Sequence, residues 1–212
     1  MNTVLESLTG GFLMNLEIFA LTLVMALPLG LVITFGSMAR FKPLRYVTRV
    51  FVWIIRGTPL MLQLFVVMYA PGLLLGTPMK SRMTAVLIAF VINYAAYFSE
   101  IYRGGIESIP KGQYEAGQVL GMTKSQVFFR VVLLQVVKRV TPPMSNEVIT
   151  LVKDTALAQT IGVMELFRLA QNAQSRAFST VPIVIAGIFY LVLNYIVEQC
   201  FHLMEKRLSY YR

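Results

Sequence analysis

The sequence predicts an all-α membrane protein, a polytopic bundle of about five transmembrane helices. Three observations carry that prediction. Of 212 residues, 57% are hydrophobic and 14% charged, against about a quarter charged in a soluble domain. The apolar residues fall in long uninterrupted blocks. The basic residues gather between those blocks. The composition excludes a disordered tail, a disulfide-rich secreted module and an ordinary cytosolic enzyme. The length suits a single domain over 1–212, without room for a fused soluble domain.

A spanning helix needs about 20 apolar residues. From Phe12 to Ala39 the only charge is Glu17, and none lies between Arg56 and Lys80, Arg82 and Glu100, or Arg176 and Glu198. These blocks predict spans near 12–38, 57–75, 83–101 and 181–203. The stretch 131–165 is also apolar but carries Lys138, Arg139, Glu147, Lys153 and Asp154. It reads as a further span that faces protein and not lipid. The first span is too long for a signal peptide and no basic residue precedes it. Pro28 and Gly30 sit within it and invite a kink.

Lysine and arginine set the orientation. None precedes the first span, and five follow it: Arg40, Lys42, Arg45, Arg49 and Arg56. Successive connections then carry two, six and two, and the tail carries Lys206, Arg207 and Arg212. Fourteen fall on one side and four on the other, which predicts the N-terminus outside and the C-terminus inside. The net charge of +9 therefore belongs to loops and not to a nucleic-acid face. Segment 42–56 reads as an interfacial amphipathic helix, with Arg45 and Arg49 on one face and Phe51, Trp53, Ile54 and Ile55 at headgroup depth. Thr58 and Pro59 then suit the cap and first position of the next helix.

The soluble exception is a cytoplasmic loop at about 102–130, rich in glycine and punctuated by Pro110 and Gly112. A short helix from Tyr114 to Leu120, stopped by Gly121, is expected there. Thr123 and Gln126 are spaced as a capping box for a second one.

Within this loop, Glu115-Ala116-Gly117, three residues and then Gly121 resemble the EAA loop of ATP-binding-cassette importer permeases. Gly117 stands where that motif usually has alanine, and Leu134 where it usually has proline. Other segments resemble the polar amino-acid subfamily in the same order along the chain. They are Arg56-Gly57-Thr58-Pro59-Leu60 with Gln63, Ala95-Ala96-Tyr97 with Ser99-Glu100-Ile101, Arg103-Gly104-Gly105-Ile106, Asn146-Glu147, Lys153-Asp154-Thr155-Ala156-Leu157, and Ile161-Gly162. The resemblance implies a five-helix importer subunit in a prokaryotic inner or plasma membrane. It implies a cytoplasmic coupling helix (Tyr114, Glu115, Ala116, Gly117, Leu120, Gly121) that docks on a separate ATPase dimer, where ATP and Mg would bind. It further implies a second permease subunit, identical or similar, and an external solute-binding protein that delivers an amino acid. The chain itself has no Gly-x-x-x-x-Gly-Lys-Ser/Thr phosphate loop.

Ionisable residues at membrane depth are candidate substrate contacts. Asn93, Tyr97 and Glu100 share one helical face by spacing, and so do Glu147, Thr150 and Asp154. Opposed, they would form a polar cleft. Asp154 suits an ammonium group, or else pairs with Lys153 or a partner subunit. Asn93, Thr155 and Gln159 offer neutral hydrogen bonds, and a helix break near 153–155 would add backbone groups. Glu147 and Tyr97 divide between ligand contact and packing, and Glu100 and Arg103 are spaced to pair. The competing class is an autonomous ion-coupled carrier or channel, with Lys153 and Asp154 as relay. An intramembrane enzyme has little support: Cys200 and His202, the only residues of their types, lie together near the C-terminus.

Overall fold

The structure, a computed structural model, describes residues 2–208; Arg212, counted with the basic tail, lies outside them. Among the described residues all regular structure is helical. Helix α1 is Asn2–Ser37, α2 Lys42–Arg56, α3 Leu60–Leu75 and α4 Arg82–Glu107. Two short helices follow, α5 Lys111–Val119 and α6 Lys124–Val127, then a π turn, Phe128–Val132, opening α7, Leu133–Asp154. A 3₁₀ segment, Thr155–Ile161, leads to α8, Leu166–Ala177, and α9, Val181–Leu208.

Helices α1, α4 and α9 are long and apolar enough to cross a membrane. The pair α2 and α3, bent by 106° at their junction, passes the same test taken together. Helix α7 has 22 residues, a length of about 33 Å, and its charges keep it out of that apolar class.

Local chemistry accounts for the boundaries and for several departures from expectation. Helix α1 begins about ten residues before the apolar block does and runs as one element through Gly10 and Gly11, where Gly11 lies close against the Leu166 backbone, and through Pro28. Thr58 does not cap α3. Its hydroxyl donates back to the Ile54 carbonyl at 3.0 Å, and Pro59, which has no N–H, stands just outside the helix. The amphipathic helix expected over 42–56 forms. Arg45 and Arg49 donate through Nε to the Ala39 and Ser37 carbonyls, at 2.7 and 3.2 Å, so α2 binds the orphan carbonyls that end α1. Ser81 caps α4 by accepting from the Thr84 N–H. That helix continues through Gly104 and Gly105 to Glu107 and takes the first residues expected in the loop.

The bundle is organised around α4. Its buried face alternates small and large side chains: Ala85, Ala89, Ala95 and Ala96 admit neighbouring helices closely, while Phe90, Tyr94 and Phe98 fill the remaining space. Those three rings follow one another at centroid separations of 6.2 and 6.0 Å. Helix α1 lies along α4, and α3 and α7 pack against it on other sides. A second apolar cluster of Leu8, Leu166, Ala170 and Ala186 ties α1 to α8 and α9.

Between the clusters is a buried polar knot. The Asn15 amide donates to Thr155 Oγ1 and Tyr190 Oη, both at 2.7 Å, and its carbonyl accepts the Leu166 N–H at 2.9 Å. Glu165, fully buried, caps α8 by accepting the Phe167 and Arg168 N–H groups at 2.8 and 2.7 Å, and it also accepts from Tyr190 at 3.2 Å. Four parts of the chain meet here: α1, the 3₁₀ segment, the head of α8 and α9. Asn15→Leu keeps the branching and the number of side-chain heavy atoms but leaves the Leu166 N–H and part of the Glu165 carboxylate unpaired. The expected loss is about 2 kcal/mol, read as a lower unfolding midpoint of the detergent-solubilised chain. An unchanged midpoint counts against the knot as a stabilising element.

Candidate functional site

The bend between α2 and α3, the middle of α4 and the second half of α7 enclose a polar cavity of about 520 Å³. Arg56, Thr58, Pro59 and Leu60 form one wall, Asn93, Tyr94 and Tyr97 a second, and Glu147, Thr150, Asp154 and Leu157 a third. The two faces read from helical spacing are opposed, as the sequence predicts. Asn93, Tyr97, Glu147 and Asp154 all line this space.

Two candidate residues are elsewhere. Thr155 is buried in the polar knot, where it accepts from Asn15 and donates to the Val152 carbonyl at 2.7 Å. As the next residue along a helical turn, its side chain points about 100° away from that of Asp154. Gln159, half-buried further along the 3₁₀ segment, is not part of the cavity wall either. The break near 153–155 is nevertheless where it is expected.

The Asp154 carboxylate accepts from Tyr94 Oη at 2.7 Å, and no ion pair joins it to Lys153 among the described residues. Tyr94 holds one carboxylate oxygen and leaves the other free. Glu147 adds a second, half-buried carboxylate. Opposite them, the Arg56 guanidinium stands over the Tyr97 ring at 5.1 Å. Asn93 donates to Gln63 Oε1 at 3.0 Å, and the Gln63 amide donates to the Ile55 carbonyl at 2.8 Å and to Thr58 Oγ1 at 2.9 Å. The α2–α3 bend is thus fixed to the cavity wall through one side chain. The arrangement offers anionic groups on one side, a cation on the other, and hydroxyls and an amide between, which suits a small zwitterion.

Arg56 and Tyr94 are site residues that sequence reasoning missed. Arg56 was counted among loop charges, although it immediately precedes the helix-breaking Gly57-Thr58-Pro59 run. Nothing in the sequence marks the contact between Tyr94 and Asp154, 60 positions apart. Glu100 stands outside the cavity and pairs as its spacing predicts, with Arg103 at 2.6 Å.

At the end of the bundle beyond α4, α5 spans 111–119 and extends the short helix expected from Tyr114 by three residues at its start. Gly121, at φ +72° and with open space around its α-carbon, makes the turn after it. Its role is backbone conformation and not close approach. Gly117 is the opposite case: a β-carbon there would stand 2.4 Å from Val127, so the glycine in place of alanine is what lets α5 and α6 touch. Thr123 and Gln126 form both halves of the capping box. Tyr114 packs inward, while Glu115, Ala116 and Leu120 are exposed.

A helical bundle with apolar spans and a charged cavity among its helices is the architecture of a membrane transport protein. The particular family follows from comparison with known proteins. Residues 26–210 match the model of the binding-protein-dependent transport system inner membrane component, and the chain belongs to that family. It is 38% identical over 206 residues to the L-cystine transport system permease protein TcyB of Bacillus subtilis (strain 168), covering 96% of this chain and 87% of the relative. It is 34% identical over 200 residues to the arginine transport system permease protein ArtQ of the same organism, covering 94% and 91%. The crystal structure of an amino acid ABC transporter with histidines matches with a TM-score of 0.87 at 31% identity, covering 98% of this chain and 96% of that one.

Gly117→Val is expected to separate α5 from α6 while the bundle stays folded. Limited trypsin digestion checks this: cleavage at Lys124 should accelerate several-fold with the unfolding midpoint unchanged. Equal cleavage rates would contradict the packing role.

Proposed function

We propose that this chain is the permease subunit of an ATP-driven importer for polar amino acids in the inner membrane of a prokaryote. The observation that carries the proposal is the cavity, with Glu147 and Asp154 facing Arg56 across a space of amino-acid size. The ammonium group of the substrate would meet Asp154, oriented by Tyr94, and its carboxylate would meet Arg56. Relatives named for cystine and arginine transport, and a similar transporter crystallised with histidines, support the substrate class.

In this reading five segments cross the membrane: α1, α3, α4, α7 and α9. The N-terminus is outside, and two permease chains, identical or similar, flank the pathway. A separate ATPase dimer, carrying ATP and Mg, docks on α5 and the Gly121 turn, where exposed Glu115 and Leu120 face outward. A solute-binding protein delivers the substrate outside. Closing the ATPase dimer draws the two coupling helices together and opens the cavity outward, and hydrolysis resets it. This chain performs no chemistry itself.

The deciding experiment co-expresses the chain with its genomic neighbours and assays ATPase activity of the captured complex against a panel of amino acids. Stimulation by a polar amino acid supports the importer. Solute movement by the chain alone without ATP supports the carrier or channel instead. Asp154→Asn is expected to weaken substrate affinity by about tenfold or more with assembly intact; unchanged affinity removes Asp154 from the site. Gly121→Trp, strained at positive φ by about 1–2 kcal/mol, is expected to release or uncouple the ATPase from a folded bundle. Full retention of ATPase binding and transport would refute the docking role.

A further inference from the structure

A second, smaller cavity of about 250 Å³ opens where α2 crosses the end of α4. Arg49, Trp53 and Arg56 line it from α2, and Glu100 and Arg103 from α4. Three guanidiniums face one carboxylate. Arg103 is engaged on both sides, with Glu100 and Glu107 each at 2.6 Å. Arg56 stands 3.6 Å from Glu100, too far for a hydrogen bond. Arg49 bonds the Ser37 carbonyl through Nε, and its terminal nitrogens have no hydrogen-bond partner among the described residues. The cavity therefore keeps an unmatched positive charge, with the Arg49 fork free.

The surrounding helix shows what kind of anion fits. Helix α2 carries Lys42, Arg45, Arg49 and Arg56 and no acidic residue, yet Trp53 is 75% exposed and Tyr46 and Val47 are exposed with it. A basic helix with exposed aromatic and aliphatic residues lies in a membrane interface, and tryptophan sits at headgroup level. Guanidinium groups match phosphate oxygens two at a time. Basic pockets between membrane helices take anionic headgroups.

We propose that this cavity binds the phosphodiester headgroup of an anionic phospholipid. Arg49, whose terminal nitrogens are free, holds the phosphate, and the exposed Trp53 packs on the glycerol region. Inorganic phosphate shares the charge but would leave Trp53 unused, which favours the lipid.

Native mass spectrometry of the full-length chain in detergent tests this, with phosphatidylglycerol, phosphatidylcholine and inorganic phosphate as separate probes. The expected result is retention of phosphatidylglycerol over phosphatidylcholine, weakened about fivefold by Arg49→Gln, with phosphate a poor competitor. Trp53→Ala, at an exposed position that leaves the core untouched, should weaken phosphatidylglycerol as well. Equal retention of the two lipids, or no change in both variants, overturns the proposal. Displacement of the lipid by phosphate at equal concentration would reduce the cavity to a simple anion site and overturn it too.

Discussion

Asn15 has no access to water, and every polar atom of its side chain is engaged. In an apolar bundle this matters more than any single hydrophobic contact. Lipid tails are as apolar as leucine, so helices gain little by exchanging one for the other, and packing and hydrogen bonds decide which of them associate. Asn15 holds α1 to the 3₁₀ segment, to the head of α8 and to α9 at once. The position of the 3₁₀ segment in turn determines where the last turn of α7 ends, and so where Asp154 points. The arrangement of the charged cavity rests on an amide that does not touch it.

The same logic explains the division of labour within two adjacent residues. Asp154 faces the cavity and Thr155 faces the knot. Consecutive side chains of a helix point about 100° apart, so two neighbours at the end of α7 reach two different sides of the bundle. One residue is left open to a ligand and the next is locked into the scaffold.

Much of this was legible in the sequence. The helical membrane class followed from the apolar blocks. The two polar faces, Asn93 with Tyr97 and Glu147 with Asp154, followed from helical spacing, because that spacing is local. The capping box at Thr123 and the turn at Gly121 were equally local. What stayed hidden depended on distance along the chain. Tyr94 looked like one more aromatic in an apolar helix until the fold brought Asp154 to its hydroxyl. Glu165 carried no mark of its burial, and Arg56 was indistinguishable from its basic neighbours until the 106° bend set it at the cavity wall. Thr58 looked like a helix cap by composition; the preceding helix offered its hydroxyl a nearer carbonyl.

Gln63 bonds the Ile55 carbonyl and Thr58 with one end of its side chain and Asn93 with the other. The elbow between α2 and α3 therefore cannot straighten alone: its angle and the position of a cavity-wall amide are one mechanical coordinate. Any displacement of α2 against α3 is carried to the shape of the charged cavity through a single glutamine.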